Sequence, residues 1–256
     1  MPESIEVKRR FVVVTGGTRG IGRAIATAFL EAGDTVLVCG RSAPETLPAH
    51  GSNVAVFENA DLRDAASAEK LIKDFVAKHG RIDVLINNAG GSPSVEAATA
   101  SPKLSEKIVQ LNLLAPLYCA QAANAVMQTQ DSGGLSINIA GVSGARPSPG
   151  TAIYGAAKAG LLSLSQSLAM EWAPKVRVNA IIVGLVFTPA AEEHYGGKAG
   201  VERVAATIPM KRFVAPTDVS NACLLLASPL ATHITGASLE VHGGGEPPIF
   251  LSAIKH

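Results

Sequence analysis

Aromatic side chains are scarce in this chain: they make up 4% of its 256 residues, with a single tryptophan. Proteins that stack nucleobases need repeated aromatic platforms, so this shortage argues against that mode of binding. Charge of one sign is lacking too. The formal net charge is +1, which leaves no electrostatic footprint for nucleic acid or for an anionic membrane surface. There are only three cysteines, Cys39, Cys119 and Cys223, an odd and widely spaced set, each inside an apolar run. They read as buried free thiols of a reducing compartment. The six histidines show no metal-ligand spacing, and no metal is expected. No apolar run is long enough to span a bilayer, and the N-terminus has no signal-peptide core. The expectation is a soluble, cytoplasmic protein with neither a membrane nor a nucleic-acid partner.

What is present in quantity is aliphatic. Hydrophobic residues make up 47% of the chain, ample for one sizeable core. Strand-like runs at Phe11–Thr15, Thr35–Cys39, Val54–Phe57, Asp83–Ile86, Leu135–Ile139, Val176–Val183 and Ser238–Val241 alternate with helix-like runs. The helical runs are Gly22–Ala32, Ala65–His79, Pro102–Gln128, Ala152–Trp172 and Thr217–Ala227. Several strands are continuously apolar, as strands buried on both faces of a parallel sheet must be. The alternation predicts α/β architecture: a doubly wound parallel sheet of seven strands between two helical layers, in a single domain spanning 1–256. The polar stretch 189–212 follows a strand end and is a candidate lid.

The first strand runs directly into Thr15-Gly-Gly-Thr-Arg-Gly-Ile-Gly22, and a helix-forming run follows. Gly16, Gly20 and Gly22, with Thr18, Arg19 and Ile21 between them, make a turn that lets backbone approach a pyrophosphate. The first N–H groups of the next helix, which lack internal partners, point at the anion. The second strand ends in Gly40-Arg41-Ser42, with no carboxylate to hold a ribose 2′-hydroxyl. Arg41 offers a charged fork for a 2′-phosphate, and Arg19 reaches the same place; together they indicate NADP(H) rather than NAD. Asp61, in Asn59-Ala-Asp-Leu62, reads as a helix N-cap on its own. Asn87-Asn-Ala-Gly90 reads either as a turn or as a wall of the cofactor crevice at a strand end.

Tyr154 and Lys158 are four apart in a helical run and share one face. Reducing a carbonyl requires an acid for its oxygen. A free phenol near pKa 10 is too weak at neutral pH, but a neighbouring ammonium favours phenolate and lowers that pKa.

Taken together, the glycine turn, Asp61-Leu62, Asn87-Asn-Ala-Gly90, Asn112, Tyr154-Gly-Ala-Ala-Lys158 and Arg177-Val-Asn-Ala180 through Thr188-Pro189 resemble the short-chain dehydrogenase/reductase family over roughly residues 8 to 245. The chain is most similar to 3-oxoacyl-carrier-protein reductases and related ketone reductases. The resemblance implies a Rossmann-like fold, a small-molecule carbonyl or alcohol substrate and a homotetramer. It implies that Asp61 bonds the adenine amino group beside Leu62, and that Asn88, Ala89 and Gly90 line the adenosine ribose. Thr188 and the backbone near Gly184 and Val186 would hold the carboxamide. Lys158 would hold the nicotinamide ribose, and Asn112 a water linking Lys158 to solvent.

The chain departs from that pattern at one point. The family's oxyanion-stabilising serine lies thirteen positions before the tyrosine, which is Gly141 here. Three explanations stand: Ser143 swings in, Tyr154 works with help from backbone or substrate, or the chain binds NADP(H) as a scaffold or sensor with little turnover. The family's Pro-Gly after the sixth strand is Val183-Gly184, and its Asp before the late Gly-Gly is His242.

Overall fold

The computed structural model describes residues 9–187, 191–248 and 250. Strand β1 (Phe11–Thr15) leads through the glycine turn into helix α1 (Gly20–Glu31) and strand β2 (Thr35–Gly40). A small antiparallel pair follows, β3 (Ala49–His50) with β4 (Asn53–Val54), before β5 (Val56–Asn59). The third expected strand therefore begins later than the sequence suggested, because Val54 belongs to that hairpin. Next come α2 (Ala65–His79), β6 (Val84–Asn87), α3 (Pro102–Val109) and α4 (Ala115–Met127). The rest are β7 (Gly134–Gly141), α5 (Ala152–Trp172), β8 (Val176–Val183), α6 (Ala191–Tyr195), α7 (Lys198–Thr207), α8 (Pro216–Leu226) and β9 (Ser238–Val241).

The seven expected strands form one parallel sheet in the order β5-β2-β1-β6-β7-β8-β9. Strand order reverses between β1 and β6, so a crevice opens beyond their C-terminal ends. Successive side chains of a strand point to opposite faces. Val12 and Val14 join one core with Ile25, Phe29 and Cys223 from α1 and α8, whereas Val13 joins the other with Ile72, Phe75, Cys119 and Met127 from α2 and α4. That split gives the three layers. Each buried aliphatic side chain contributes about 1.5–3 kcal/mol, which is why continuously apolar strands settle in the middle layer.

Two features were not legible beforehand. The run Pro102–Gln128 is not one α-helix: a π-helical turn at Gln110–Leu114 separates α3 from α4. Pro116 has no N–H for the carbonyl four residues back and would clash with it, and a wider turn relieves both problems. The candidate lid holds the two short helices α6 and α7; Pro189 and Ala190 lie outside the described residues.

Candidate active site

The glycine turn closes against its neighbours through backbone. Gly20 has φ +54, and a Cβ there would meet nothing within 4 Å, so the turn leaves an open cradle at the start of α1. Gly22 does the opposite: a Cβ would lie 2.3 Å from the Gly16 carbonyl oxygen and 2.4 Å from Asn88 Nδ2. Arg19 occupies the N-cap position of α1 without a side-chain cap, and no acidic residue stands in the first turn. The free N–H groups of this helix end face the cradle, which suits a phosphate. Thr18 lies beside Gly40 at the end of β2, and Ile21 packs on the core. Arg19, Arg41 and Ser42 are exposed, and among the described residues neither arginine forms an ion pair. A dinucleotide with a 2′-phosphate fits this set of donors.

Asp61 is not the cap of α2. Asp64 takes that role, its carboxylate accepting the Ser67 N–H at 2.9 Å. Arg63 Nε donates to Asp61 at 2.9 and 3.2 Å, and its guanidinium holds the carboxyl below the usual carboxylate range. Leu62 is a core residue with 5% exposure, so only its backbone is left for a ligand. Asn88 Nδ2 donates to the Thr15 and Gly16 carbonyls at 3.0 and 3.2 Å, so this amide braces the glycine turn. Thr15 Oγ1 accepts the N–H groups of Asn88 and Ala89, both at 3.0 Å, and so fastens β1 to the end of β6.

Gly90 brings the end of β6 against Asn112 and Lys158. A Cβ there would lie 2.8 Å from Asn112 Oδ1 and 3.3 Å from Lys158 Nζ. Asn112 is fully buried in the π-turn. Its Oδ1 accepts the Gly91 N–H, and its Nδ2 donates to the Gly91 and Ile108 carbonyls, each at 2.9 Å. The Asn112 amide is thereby occupied in positioning the 90–91 backbone. Its carbonyl is the one whose α-helical donor would be residue 116, a proline.

Helix α5 is set on the sheet by a buried polar chain. Asn87 Nδ2 donates to Asn138 Oδ1 at 2.9 Å, Asn138 Nδ2 to Ser165 Oγ at 2.8 Å, and Ser165 Oγ to the Leu161 carbonyl at 2.6 Å. Such a chain favours one arrangement, because breaking a link costs about 1–3 kcal/mol, although Asn87 Oδ1 itself has no partner among the described residues. Lys158 is 3% exposed, with Nζ donating to the Ile139 carbonyl at 2.8 Å and lying 5.8 Å from the Tyr154 ring centroid. Burial lowers its pKa from 10.5 to about 8. Tyr154 corrects an expectation: burial pushes its phenol up, and the ammonium, aimed at Ile139, does not pull it down.

Gly141 ends β7 beside that phenol in extended backbone, φ −165 and ψ 165. A Cβ there would make only ordinary contacts, 3.6 Å from the Val183 carbonyl oxygen and 3.9 Å from the Tyr154 hydroxyl. Ser143 does not fill that space. Its Oγ accepts from Ser148 Oγ at 3.1 Å, and Ser148 Oγ is 2.7 Å from Thr151 Oγ1. Tyr154 and Thr151 border a narrow recess of about 10 Å³, room for little more than a water, with Ser92, Val95, Ala97, Ala100 and Ile108. At the far rim, a Cβ at Gly184 would lie 2.7 Å from the His242 Cα, and Val186 pairs with Val214. Thr188 lies outside the described residues. Sequence reasoning missed Arg63 and the Ile139 carbonyl. Arg63 stands two residues from Asp61 and carries a signal; a backbone acceptor carries none.

A family model described as enoyl-(acyl carrier protein) reductase matches residues 16–246. The chain belongs to the short-chain dehydrogenase/reductase family. It is 34% identical over 245 residues to a 3alpha-hydroxysteroid dehydrogenase of Mediterraneibacter gnavus, covering 93% of this chain and 97% of that one. It is 34% identical over 243 residues to a 3-oxoacyl-(acyl-carrier-protein) reductase of Staphylococcus aureus, covering 91% and 96%. Among solved structures, an actinorhodin polyketide ketoreductase variant with NADPH aligns at TM-score 0.83 and 28% identity over 92% of this chain and 97% of that one. The chain is thus an oxidoreductase of a family that uses nicotinamide cofactors and acts on small molecules. Among the described residues no helix is long and apolar enough to cross a membrane.

Proposed function

We propose that this chain is an NADP(H)-dependent dehydrogenase/reductase of a carbonyl/secondary-alcohol pair, with Tyr154 as its acid–base. The N-terminal cradle of α1 holds the pyrophosphate, and Arg19 and Arg41, with Ser42, receive the 2′-phosphate. Asp61 turns from Arg63 to the adenine, backbone at Leu62, Ala89 and Gly90 lines the adenosine side, and Gly184, Val186 and Thr188 receive the carboxamide. The bound nicotinamide supplies or accepts the hydride.

The chain's own residues manage the proton. Burial keeps the Tyr154 phenol protonated at neutral pH, which a proton donor requires. Once the proton has left, the phenolate needs a partner, and Lys158, with its pKa near 8, remains an ammonium below that pH. Proton resupply runs through Lys158 to a water on the Asn112 carbonyl. Ser143 works at one remove, tying the 148–151 loop beside the substrate.

One observation carries this reading. A buried lysine, one helical turn from a half-buried tyrosine and against the backbone at Gly90, costs stability that a structural role does not require. The segment 189–212 acts as a lid: Tyr195 of α6 sits 5.7 Å from Phe213 between ring centroids. A homotetramer in the cytoplasm and a single domain complete the reading. The competing one, a cofactor-holding scaffold, rests on Gly141 alone.

The test is NADPH consumption against ketones, diketones and short β-ketoesters. Turnover of at least one class, reduced about a thousandfold in Tyr154→Phe, is the expected result. Tight NADPH binding with no turnover of any class establishes the scaffold.

A further inference from the structure

Between the Tyr154 hydroxyl and the Val183 carbonyl lies a hollow the size of a small side chain, and Gly141 leaves it open. Its walls are polar. The hydroxyls nearest in sequence are held in their own loop, Ser143 accepting from Ser148 and Ser148 bonding Thr151, and among the described residues none is bonded to the Tyr154 hydroxyl. A carbonyl oxygen accepting charge opposite Tyr154 therefore lacks a second protein hydroxyl, and burial has already made that phenol a weaker acid. Losing one such donor typically lowers the rate by about 10²–10³.

We propose that the substrate supplies the missing donor: the preferred substrates are α-hydroxy carbonyl compounds and the vicinal diols they yield, with the neighbouring hydroxyl seated in the Gly141 hollow. This rests on the reductase reading and narrows its substrate class. The hydroxyl beside the carbonyl donates to the oxygen as charge develops there, and in the diol it donates to the Val183 carbonyl. The reaction is otherwise the same: the carbonyl carbon gains a hydride, its oxygen gains the Tyr154 proton, and the nicotinamide is oxidised. The recess beside Tyr154 lined by Val95, Ala97, Ala100 and Ile108 is apolar and narrow, so the hydroxyl end of the substrate is the one that needs the Gly141 hollow.

Three matched substrates separate donation from mere activation of the carbonyl: acetoin, its O-methyl ether and butanone. The ether keeps the electron withdrawal and loses the donor. In the native protein, kcat/KM with NADPH should be about a hundredfold higher for acetoin than for the ether. In Gly141→Ser the ratio should collapse toward one, because the ether and butanone gain about a hundredfold. Gly141→Ala fills the hollow without a donor and should slow acetoin without helping the others. In Ser143→Ala the native ratio should persist, whatever the overall rate. Calorimetry adds a readout without turnover: the protein saturated with NADP should bind butanediol several-fold more tightly than its monomethyl ether, and Gly141→Ala should erase the difference. A native acetoin/ether ratio near one, equal gains for all three in Gly141→Ser, or a ratio lost in Ser143→Ala overturns the proposal while leaving the reductase reading intact. No turnover of any carbonyl in either the native protein or Gly141→Ser overturns both.

Discussion

Around the end of β1 the crevice is walled by backbone; around the end of β7 it is walled by side chains. The glycine turn, α1 and β2 form a cradle of N–H groups and close contacts, edged by exposed arginines that have no ion partner among the described residues. The region of β7, α5 and the π-turn holds buried polar side chains in separate sets, Asn87, Asn138 and Ser165 in one chain, Lys158 on the Ile139 carbonyl and Asn112 on the 91 and 108 backbone, with Gly141 offering no side chain beside Tyr154. Binding can rest on backbone because the helix end and turn supply donors whatever the neighbouring side chains are. Proton transfer cannot, because it needs particular groups at particular places, and on the proposed reading the hydroxyl absent at Gly141 bears on which substrates suit the site.

The contrast can be broken most severely in the backbone half. Gly22→Ala sets a methyl group 2.3 Å from the Gly16 carbonyl oxygen. Displacing that turn should weaken NADPH binding at least about a hundredfold by fluorescence titration, while far-UV circular dichroism keeps its native shape. NADPH affinity within threefold of native would show that the turn does not set the cradle.

A smaller effect sharpens the assignment of the phosphate. Arg41→Ala removes a charge-assisted bond of about 1.5–3 kcal/mol, so NADPH affinity should fall roughly ten- to hundredfold while NADH affinity stays within threefold. Equal losses for the two cofactors would defeat the argument from Arg19 and Arg41.

The smallest effect belongs to the side-chain half. The folded pKa of Lys158 lies near 8, below its ordinary 10.5. Between those values the unfolded chain binds more protons than the folded one, so this residue's contribution to stability rises with pH across that window. The full difference is of the order of 3 kcal/mol. Thermal unfolding should therefore show native protein gaining on Lys158→Met from pH 8 to about 10.5. A constant difference between the two would show that the buried amine is charged throughout.

The fold was legible because a strand buried on both faces has to be apolar throughout, and Val12, Val13 and Val14 say so without alternation. The π-turn was hidden because Pro116 signals a disturbed helix but not which way the backbone relieves it. The Tyr154 phenol shifted opposite to expectation for a similar reason. Spacing places Lys158 one turn away, but burial and the pull of the Ile139 carbonyl exist only in three dimensions. In sequence Asp61 reads as the cap, and it takes the Ser67 N–H in three dimensions to show that Asp64 holds that place. The departure at Gly141 was visible as a letter. That a side chain would fit there without strain required coordinates.

Gly90 has a consequence for redesign. Its missing side chain lets the nucleotide wall touch Asn112 Oδ1 and Lys158 Nζ at once. Any attempt to retailor cofactor preference by adding bulk at that spot would displace Asn112 and Lys158, the residues proposed to resupply the proton, in the same stroke. The two properties share a hinge pin, and engineering one independently of the other must begin elsewhere, at the solvent-facing arginines.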